Sequence, residues 1–258
     1  MVARASGAVA KIGRVRYRVT LQYDGQPFRG WATQPGLTTV EGAVRAALDR
    51  IFPGWSGLVV AGRTDAGVHA LAQVISFDAE LGPAPASTPD ALNSVLPPGV
   101  AASAAAEAAP DFHARFAALS RSYVYRIDRA PLRSPFQEGR VWWHPRPIDL
   151  DRLRACAALL PGEHDFTAFT PTDSLHNLFR RTIASATWRE DGDELLFEIT
   201  ANSFLRHMVR TLVGTMIDPS WEPEQLAAVL RGAPRSEGGP TAPPGGLYLV
   251  RVTYPDTI

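Results

Sequence analysis

The sequence predicts an α+β fold in which two similar halves, residues 1–118 and 119–258, share a mixed, mainly antiparallel sheet. Stretches that alternate apolar and polar residues recur along the chain, with stretches of helical spacing between them. Each half follows the order strand, helix, strand, strand, helix, strand, which is a split-βαβ arrangement. We therefore expect helices on one side of the sheet and a cleft between the halves. A chain of 258 residues, 45% of them hydrophobic, can fill such a core.

The first half opens on the alternating stretch RVRYRVTLQYDG, which predicts a half-buried strand. The spacing of TTVEGAVRAALDRIF predicts a helix, with Thr38 and Glu41 as a capping box. We expect strands at LVVAG and AQVISFD, a short helix capped by Thr88, and a strand within GVAASAAAEAAP.

The second half repeats this order. RSYVYRID predicts a strand, and DLDRLRACAALLPG predicts a helix capped by Asp149. RTIASATWRE and ELLFEIT predict a hairpin across the turn DGD. The stretch SFLRHMVRTLVGTMI predicts a helix capped by Ser203, EPEQLAAVLRG another helix, and GLYLVRVTY a closing strand.

The amino-acid composition limits the kinds of reactive site and of binding partner that this protein can have. Lys11 is the only lysine and Cys156 the only cysteine, which excludes a lysine-bearing phosphate loop, disulfides within the chain and multi-cysteine metal sites. The formal net charge is zero, so nucleic-acid binding would depend on a local patch. The opening residues lack the apolar region of a secretory signal, and no 18-residue apolar run is present. We expect a cytoplasmic protein that does not enter a membrane.

The stretch AGRTDAGVHA offers a carboxylate, Asp65, in a loop of small residues. Asp and Gly are ordinary turn residues, so a plain surface turn is one interpretation. The other is a functional carboxylate, held ionised by Arg63 and acting as nucleophile or base. The motif contains no second carboxylate, so an acid–base pair for glycoside hydrolysis is not indicated.

The histidines are scattered without metal-ligand spacing, so we predict no metal site. A metal-dependent nuclease would need four side chains to converge: Asp111, His113, His164 and Asp165. A more favourable pattern is the arginine-rich stretch FHARFAALSRSYVYRIDRAPLRSPFQEGRVWWHPRP, because arginines suit phosphates and aromatic rings suit bases. An ordinary strand with a solvated face explains it equally well. Arg206 and Arg210, four residues apart, predict either a two-arginine phosphate clamp or a solvated helix face.

Seven motifs together resemble the TruA family of tRNA pseudouridine synthases, over nearly the whole chain from Tyr17 to Tyr254. They occur in the order YDGQPFRGW, TVEGAVRAAL, AGRTDAGVHA, DFHARFAALSRSYVY, GEHDFTAF, NSFLRHMVRTLVG and TAPPGGLYL. One departure is Ala32, where the family usually has glutamine.

This resemblance implies the pseudouridine synthase fold and a role for each matching residue. Asp65 is implied as the catalytic nucleophile and Arg63 as the residue that contacts RNA and flips the base. Tyr123 is implied to stack on the target uracil, Arg210 to pair with the aspartate, and Leu247 to form an apolar wall. RNA contacts are further expected at Gln34, His69, Arg115, Arg121 and Arg206.

The resemblance also implies a reaction and partners. Uridine would be isomerised to pseudouridine at positions 38 to 40 of the tRNA anticodon stem-loop, by a homodimer with no metal or cofactor. The target base would leave its stack to be reached. Attack at uracil C6, attack at ribose C1′, and initial removal of the C2′ proton all remain open. The alternative from another class is a non-catalytic RNA-binding protein on the same fold, with the metal-dependent nuclease as a second.

Overall fold

A computed structural model describes residues 11–174 and 178–255. In these residues, five α-helices accompany a sheet of ten strands. The strands are β1 (Lys11–Tyr23), β2 (Ser56–Val60), β3 (His69–Leu81), β4 (Val100–Glu107), β5 (Ser120–Asp128), β6 (Trp142–Trp143), β7 (Gly162–Asp165), β8 (Arg180–Asp191), β9 (Glu194–Ala201) and β10 (Leu247–Thr253). The helices are α1 (Val40–Ile51), α2 (Thr88–Asn93), α3 (Leu150–Ala158), α4 (Met208–Ile217) and α5 (Pro223–Val229). Residues 1–10, where we predict no signal segment, lie outside the described residues.

The sheet runs in the order β4-β1-β3-β10-β5-β9-β8-β7, with β2 paired to β3 and β6 paired to β5. The β10–β3 and β5–β6 pairs are parallel and the other pairs are antiparallel. This mixed, mainly antiparallel sheet with its two strand–helix–strand units confirms the predicted fold class. The last strand, β10, joins the strands of the first 107 residues to the rest of the sheet. The division at residues 118 and 119 stays a prediction.

The helices pack on one face of the sheet, as expected. Neighbouring residues of a strand point to opposite faces, and in β3 Ile75 joins the large core cluster while Val74 joins a small second cluster. All five helices contribute buried residues to the large cluster. The small cluster, formed by Ala61, Val74, Ala108, Phe112 and Ala114, contains no helical residue. No helix among the described residues is both long and apolar enough to cross a bilayer.

Three predicted helix starts are wrong. Thr39, not Thr38, caps α1, since its Oγ1 accepts the Gly42 N–H at 3.2 Å. Ser87 precedes α2, so the predicted cap Thr88 is its first residue. Helix α4 begins at Met208, five residues after Ser203, because His207 adopts a left-handed conformation that a continuous right-handed helix excludes.

The short strands β6 and β7 were not predicted. They have two and four residues, too few to display an alternation. The hairpin of β8 and β9, the strand β4 and the closing strand β10 match their predictions.

Candidate active site

The loop between β2 and β3 carries Asp65, and side chains from several elements fix the loop's main chain. Arg121 donates to the Ala61 carbonyl, and Gln73 Nε2 donates to the Gly62 carbonyl at 2.6 Å. The Thr64 carbonyl accepts the Trp31 N–H at 3.0 Å. Thr64 is itself buried, with its Oγ1 2.8 Å from the Tyr23 hydroxyl. The carboxylate therefore sits on a rigid support.

Glycine is required at two places around this loop. The Val68 N–H donates to the Asp65 carbonyl at 3.1 Å, closing a turn in which Gly67 has φ +77°. That left-handed conformation strains other residues. Gly25 packs directly against the turn, since a Cβ there would lie 2.2 Å from the Val68 carbonyl oxygen. The small residues of the motif thus allow a tight turn with close backbone packing.

Asp65 pairs with Arg210 from the first turn of α4. Arg210 Nη1 donates to Asp65 Oδ2 at 3.2 Å, and Arg210 Nε donates to the Ala242 carbonyl at 2.9 Å. The Ala242 N–H donates back to the Arg210 carbonyl at 3.0 Å. With side-chain exposures of 13% for Arg210 and 22% for Asp65, the pair is sheltered yet open to a ligand. This is the pairing that the resemblance implies.

Arg63 lies apart from this pair, and the expectation that it balances the charge of Asp65 is wrong. Arg63 is exposed, and no ion pair or hydrogen bond joins it to another described residue. Only Thr64 separates Arg63 from Asp65 along the chain, yet the Arg63 side chain is exposed and does not contact the carboxylate, so proximity along the chain was misleading. Arg210 supplies the opposite charge.

Tyr123 lies on β5 close enough to Asp65 to sense its charge. Burial raises the pKa of the Tyr123 hydroxyl above its ordinary value, and Tyr23 and Asp65 add to the rise. The hydroxyl therefore stays protonated near neutral pH. The ring packs edge-to-face against Phe204, with 5.1 Å between centroids, and is nearly buried. A base that stacks on Tyr123 must enter the protein or displace Phe204.

His207 also belongs to this site, a position that the scattered spacing of the histidines does not indicate. Its Nε2 lies 3.6 Å from Asp65 Oδ2, the same oxygen that Arg210 contacts. Burial lowers the pKa of His207 below its ordinary value; Arg210 and Arg206 lower it further, while Asp65 and Asp173 oppose the change. The feature of the sequence that could have placed His207 in this site is its spacing of three residues from Arg210.

His69 is a structural residue, so the expectation that it contacts RNA is wrong. Its ring is buried, with Nδ1 accepting the Gly25 N–H at 3.0 Å and Nε2 lying 2.9 Å from the Gly139 carbonyl. Tyr248 stacks on the ring at 4.6 Å. Because Nδ1 accepts a hydrogen bond from the Gly25 N–H and so carries no proton, its 3.3 Å approach to Asp24 is not an ion pair. Burial is the main cause that lowers the pKa of His69, which leaves a neutral ring.

Arg121 is also structural, which removes it from the expected phosphate contacts. It is 8% exposed, and its guanidinium donates to four main-chain carbonyls. These belong to Ala61, Arg115, Ala118 and Asn202. A phosphate would have to displace these acceptors. Composition alone does not separate a buried arginine from an exposed one.

The other residues that were expected to contact RNA or substrate differ in their exposure to solvent. Arg115 is exposed beside Phe116, with its guanidinium carbon 5.5 Å from the ring centroid. Gln34 is exposed and donates to the Arg29 carbonyl at 3.2 Å. Leu247 is buried in the core at the start of β10, opposite Tyr125.

The two-arginine clamp, one of the two interpretations of Arg206 and Arg210, is wrong. Arg206 precedes α4 and pairs with Asp173, whereas Arg210 lies within α4 and pairs with Asp65. The two side chains therefore serve different carboxylates and do not form a single phosphate site.

The nuclease alternative lacks a converged ligand set. Within residues 11–174 and 178–255, no three His, Cys, Asp or Glu side chains gather closely enough to hold a metal ion. Asp165 instead accepts hydrogen bonds from Thr167, and His113 stacks on Phe116.

Comparisons with known proteins identify the family of this chain. A sequence profile of the family described as tRNA pseudouridine synthase matches residues 156–255. A tRNA pseudouridine synthase A of Rhodopseudomonas palustris (strain BisB18) is 41% identical over 243 residues, which cover 93% of this chain and 99% of that protein. One of Burkholderia mallei (strain SAVP1) is 41% identical over 248 residues, covering 93% of this chain and 90% of that protein.

The structural likeness to solved proteins is weaker. A Cbf5–Nop10–Gar1 complex matches with a TM-score of 0.39 and 13% identity, covering 90% of this chain and 48% of that one, which is too low to support an inference. The sequence identity to the two relatives, over nearly their whole length, is sufficient by itself to assign the family. The chain therefore belongs to the tRNA pseudouridine synthase A family, whose reaction is the isomerisation of uridine in tRNA.

Proposed function

We propose that this enzyme converts uridine to pseudouridine at positions 38 to 40 of the tRNA anticodon stem-loop, with Asp65 as the nucleophile and the target base flipped out of its stack. The observation that carries the proposal is the sheltered Asp65–Arg210 pair at the tip of a rigid loop. A carboxylate in this setting suits covalent catalysis. The positive charge of Arg210 balances the Asp65 carboxylate, and its contact with Oδ2 leaves the other carboxylate oxygen uncovered.

The residues present suit the chemistry of the isomerisation. A C–N glycosidic bond breaks, the freed uracil turns, and a C–C bond forms, so the net reaction consumes no electrons, phosphate or water. A fixed carboxylate can hold the reacting fragment while the base turns. Tyr123, protonated and close to Asp65, supplies a ring against which the base can stack.

Arg63 suits the extrusion of the base. It is exposed on the same loop as Asp65, and its guanidinium has no partner among the described residues. Taking a base out of its stack costs a few kcal/mol, and a cation that enters the vacated space offsets part of that cost. Arg63 can enter the RNA while Asp65 stays in place.

An RNA-binding surface adjoins the loop. Arg121 bonds the carbonyls of both Ala61 and Arg115, which places the exposed Arg115 and Phe116 beside the catalytic loop. The Phe116 side chain is 76% exposed, and His113 stacks on it at 4.4 Å. Cations for phosphate and a ring for unpaired bases suit a single-stranded loop of RNA. Such a local patch reconciles RNA binding with a net charge of zero.

The proposal includes a homodimer that works in the cytoplasm, with each chain supplying one cleft. Leu132 and Phe136 are 82% and 86% exposed, and a second copy of the chain could cover apolar groups of this kind. Sedimentation with and without tRNA measures the assembly. A monomer at the concentrations used for activity would contradict this part.

The whole proposal is tested with unmodified tRNA and the purified protein. Carbodiimide mapping is expected to find pseudouridine at positions 38 to 40 and nowhere else. A matched tRNA with cytidine at these positions is the control and should gain none. Pseudouridine at other positions, or none in either tRNA, would contradict the assigned target.

A further inference from the structure

We propose that His207 is a positioning residue of this reaction: together with Arg210 it holds Asp65 Oδ2 and leaves Oδ1 directed at the uridine. This inference rests on the proposed role of Asp65 as the nucleophile. Both partners come from the beginning of α4, where His207 is the residue before the first turn and Arg210 lies within it. One short segment thus delivers two nitrogen groups to one oxygen.

The backbone of His207 is the first supporting observation. With φ +62° and ψ −5°, it is the only non-glycine residue with positive φ among those the structure describes. This conformation is unfavourable for a side chain with a Cβ, although histidine tolerates it better than most residues. Outliers that persist at a site of chemistry point to a function for the side chain they orient. Here the oriented side chain reaches Asp65.

The asymmetry of the carboxylate is the second observation. Arg210 Nη1 at 3.2 Å and His207 Nε2 at 3.6 Å both contact Oδ2, and no described residue contacts Oδ1. Fixing one oxygen of a planar carboxylate determines the direction of the other. The His207 distance exceeds a hydrogen bond, and contacts of this kind commonly tighten when substrate binds.

The charge of His207 is consistent with positioning. Burial lowers its pKa, and the charged groups that face it are Asp65, Arg210, Arg206 and Asp173. A neutral imidazole can hold Oδ2 through one N–H while adding no second positive charge beside Arg210. The carboxylate thereby keeps more of its nucleophilic character than it would between two cations.

Three substitutions separate the imidazole from the backbone strain. His207→Leu removes the N–H, His207→Gln offers an amide N–H at a similar reach, and both must adopt the same left-handed conformation. His207→Gly removes the side chain and relieves the strain, so it should fold even if the others are less stable. Single-turnover conversion of unmodified tRNA and tRNA affinity are measured for each.

The Leu and Gly variants should convert tRNA about 10- to 100-fold more slowly, with little change in affinity, because a misdirected nucleophile costs rate rather than binding. The Gln variant should recover most of the loss. Wild-type rates for the Leu and Gly variants, or a Gln variant as slow as Leu, would overturn the role of His207. An inactive Asp65→Asn beside a fully active His207→Gly would leave the proposed function standing and reject this inference alone.

Discussion

Arg210 Nη1 lies 3.2 Å from Asp65 Oδ2, although 145 residues separate the two along the chain. Asp65 lies in the loop between β2 and β3, while Arg210 belongs to α4, which follows β9. The pair therefore exists only once the two parts of the sheet have joined. The candidate active site is therefore complete only in the folded chain.

Replacing Arg210 with lysine should slow pseudouridine formation by about 100-fold with little effect on tRNA affinity. The guanidinium spans two acceptors, Asp65 through Nη1 and the Ala242 carbonyl through Nε, and a single ammonium cannot reproduce that fork. Single-turnover rates and binding are measured on one preparation. Arg154→Lys, an exposed pair partner of Asp151 on α3, is the matched control. A wild-type rate for Arg210→Lys would exclude a fork requirement.

Arg115 and Arg121 should respond differently to substitution. Arg115→Ala should weaken all tRNAs alike and lower the slope of log K against log salt by about 0.7 to 0.9, the contribution of one phosphate contact. Arg121→Met should instead lower the free energy of unfolding by at least about 2 kcal/mol, because four carbonyls lose their donor. Salt-dependent binding and urea unfolding distinguish the two. An unchanged stability in Arg121→Met would refute its structural role.

Arg63→Ala should lower turnover at saturating tRNA far more than it lowers affinity. A residue that fills the space of a flipped base makes its contacts after binding, so its removal affects the later step. Both quantities are measured beside Arg115→Ala, which should show the opposite pattern. If Arg63→Ala loses affinity and salt slope but keeps its turnover, Arg63 is only a phosphate contact.

Lowering the pH should destabilise the protein partly through His69. Burial lowers the pKa of His69 in the fold, with Asp24 and Arg140 facing the ring, so the unfolded chain takes up its proton at a higher pH. The contribution of His69 to the free energy of unfolding is therefore fully present above about pH 6.5 and is lost as the pH drops below that value. His113 and His207 act in the same direction.

The variant His69→Gln tests this, since its side chain does not titrate. It loses hydrogen bonds at every pH, so the slope of unfolding free energy between pH 7 and 5, rather than its level, is compared. The slope should be smaller than in the wild type. An identical slope would show that His69 does not link proton uptake to folding.

The sequence predicted the fold class and most strands because local alternation carries that information. Val15, Tyr17 and Val19 are buried on one face of β1, as their spacing indicates. The predictions of where helices begin were less accurate, since neighbouring residues such as Thr38 and Thr39 are equally good caps. At α4 the left-handed His207 delays the helix, and no local pattern reveals that conformation.

The site was predicted less completely. Family motifs placed Asp65 and Arg210 in one site, whereas the residues alone suggested Arg63 as the partner of the carboxylate. Arg121 and His69 were predicted to contact RNA because a sequence does not show whether a polar residue is exposed or buried. Their burial depends on carbonyls and rings supplied by distant segments, such as Asn202 and Tyr248.

Asp65→Asn gives the most direct test of the account, because it keeps the volume of the side chain and removes its charge. With unmodified tRNA under single-turnover conditions, carbodiimide mapping should detect no pseudouridine at positions 38 to 40, while tRNA affinity changes little. Asp65→Ala is run beside it, because deamidation of the asparagine would restore the aspartate. Conversion within about tenfold of the wild-type rate in both variants would contradict Asp65 as the nucleophile.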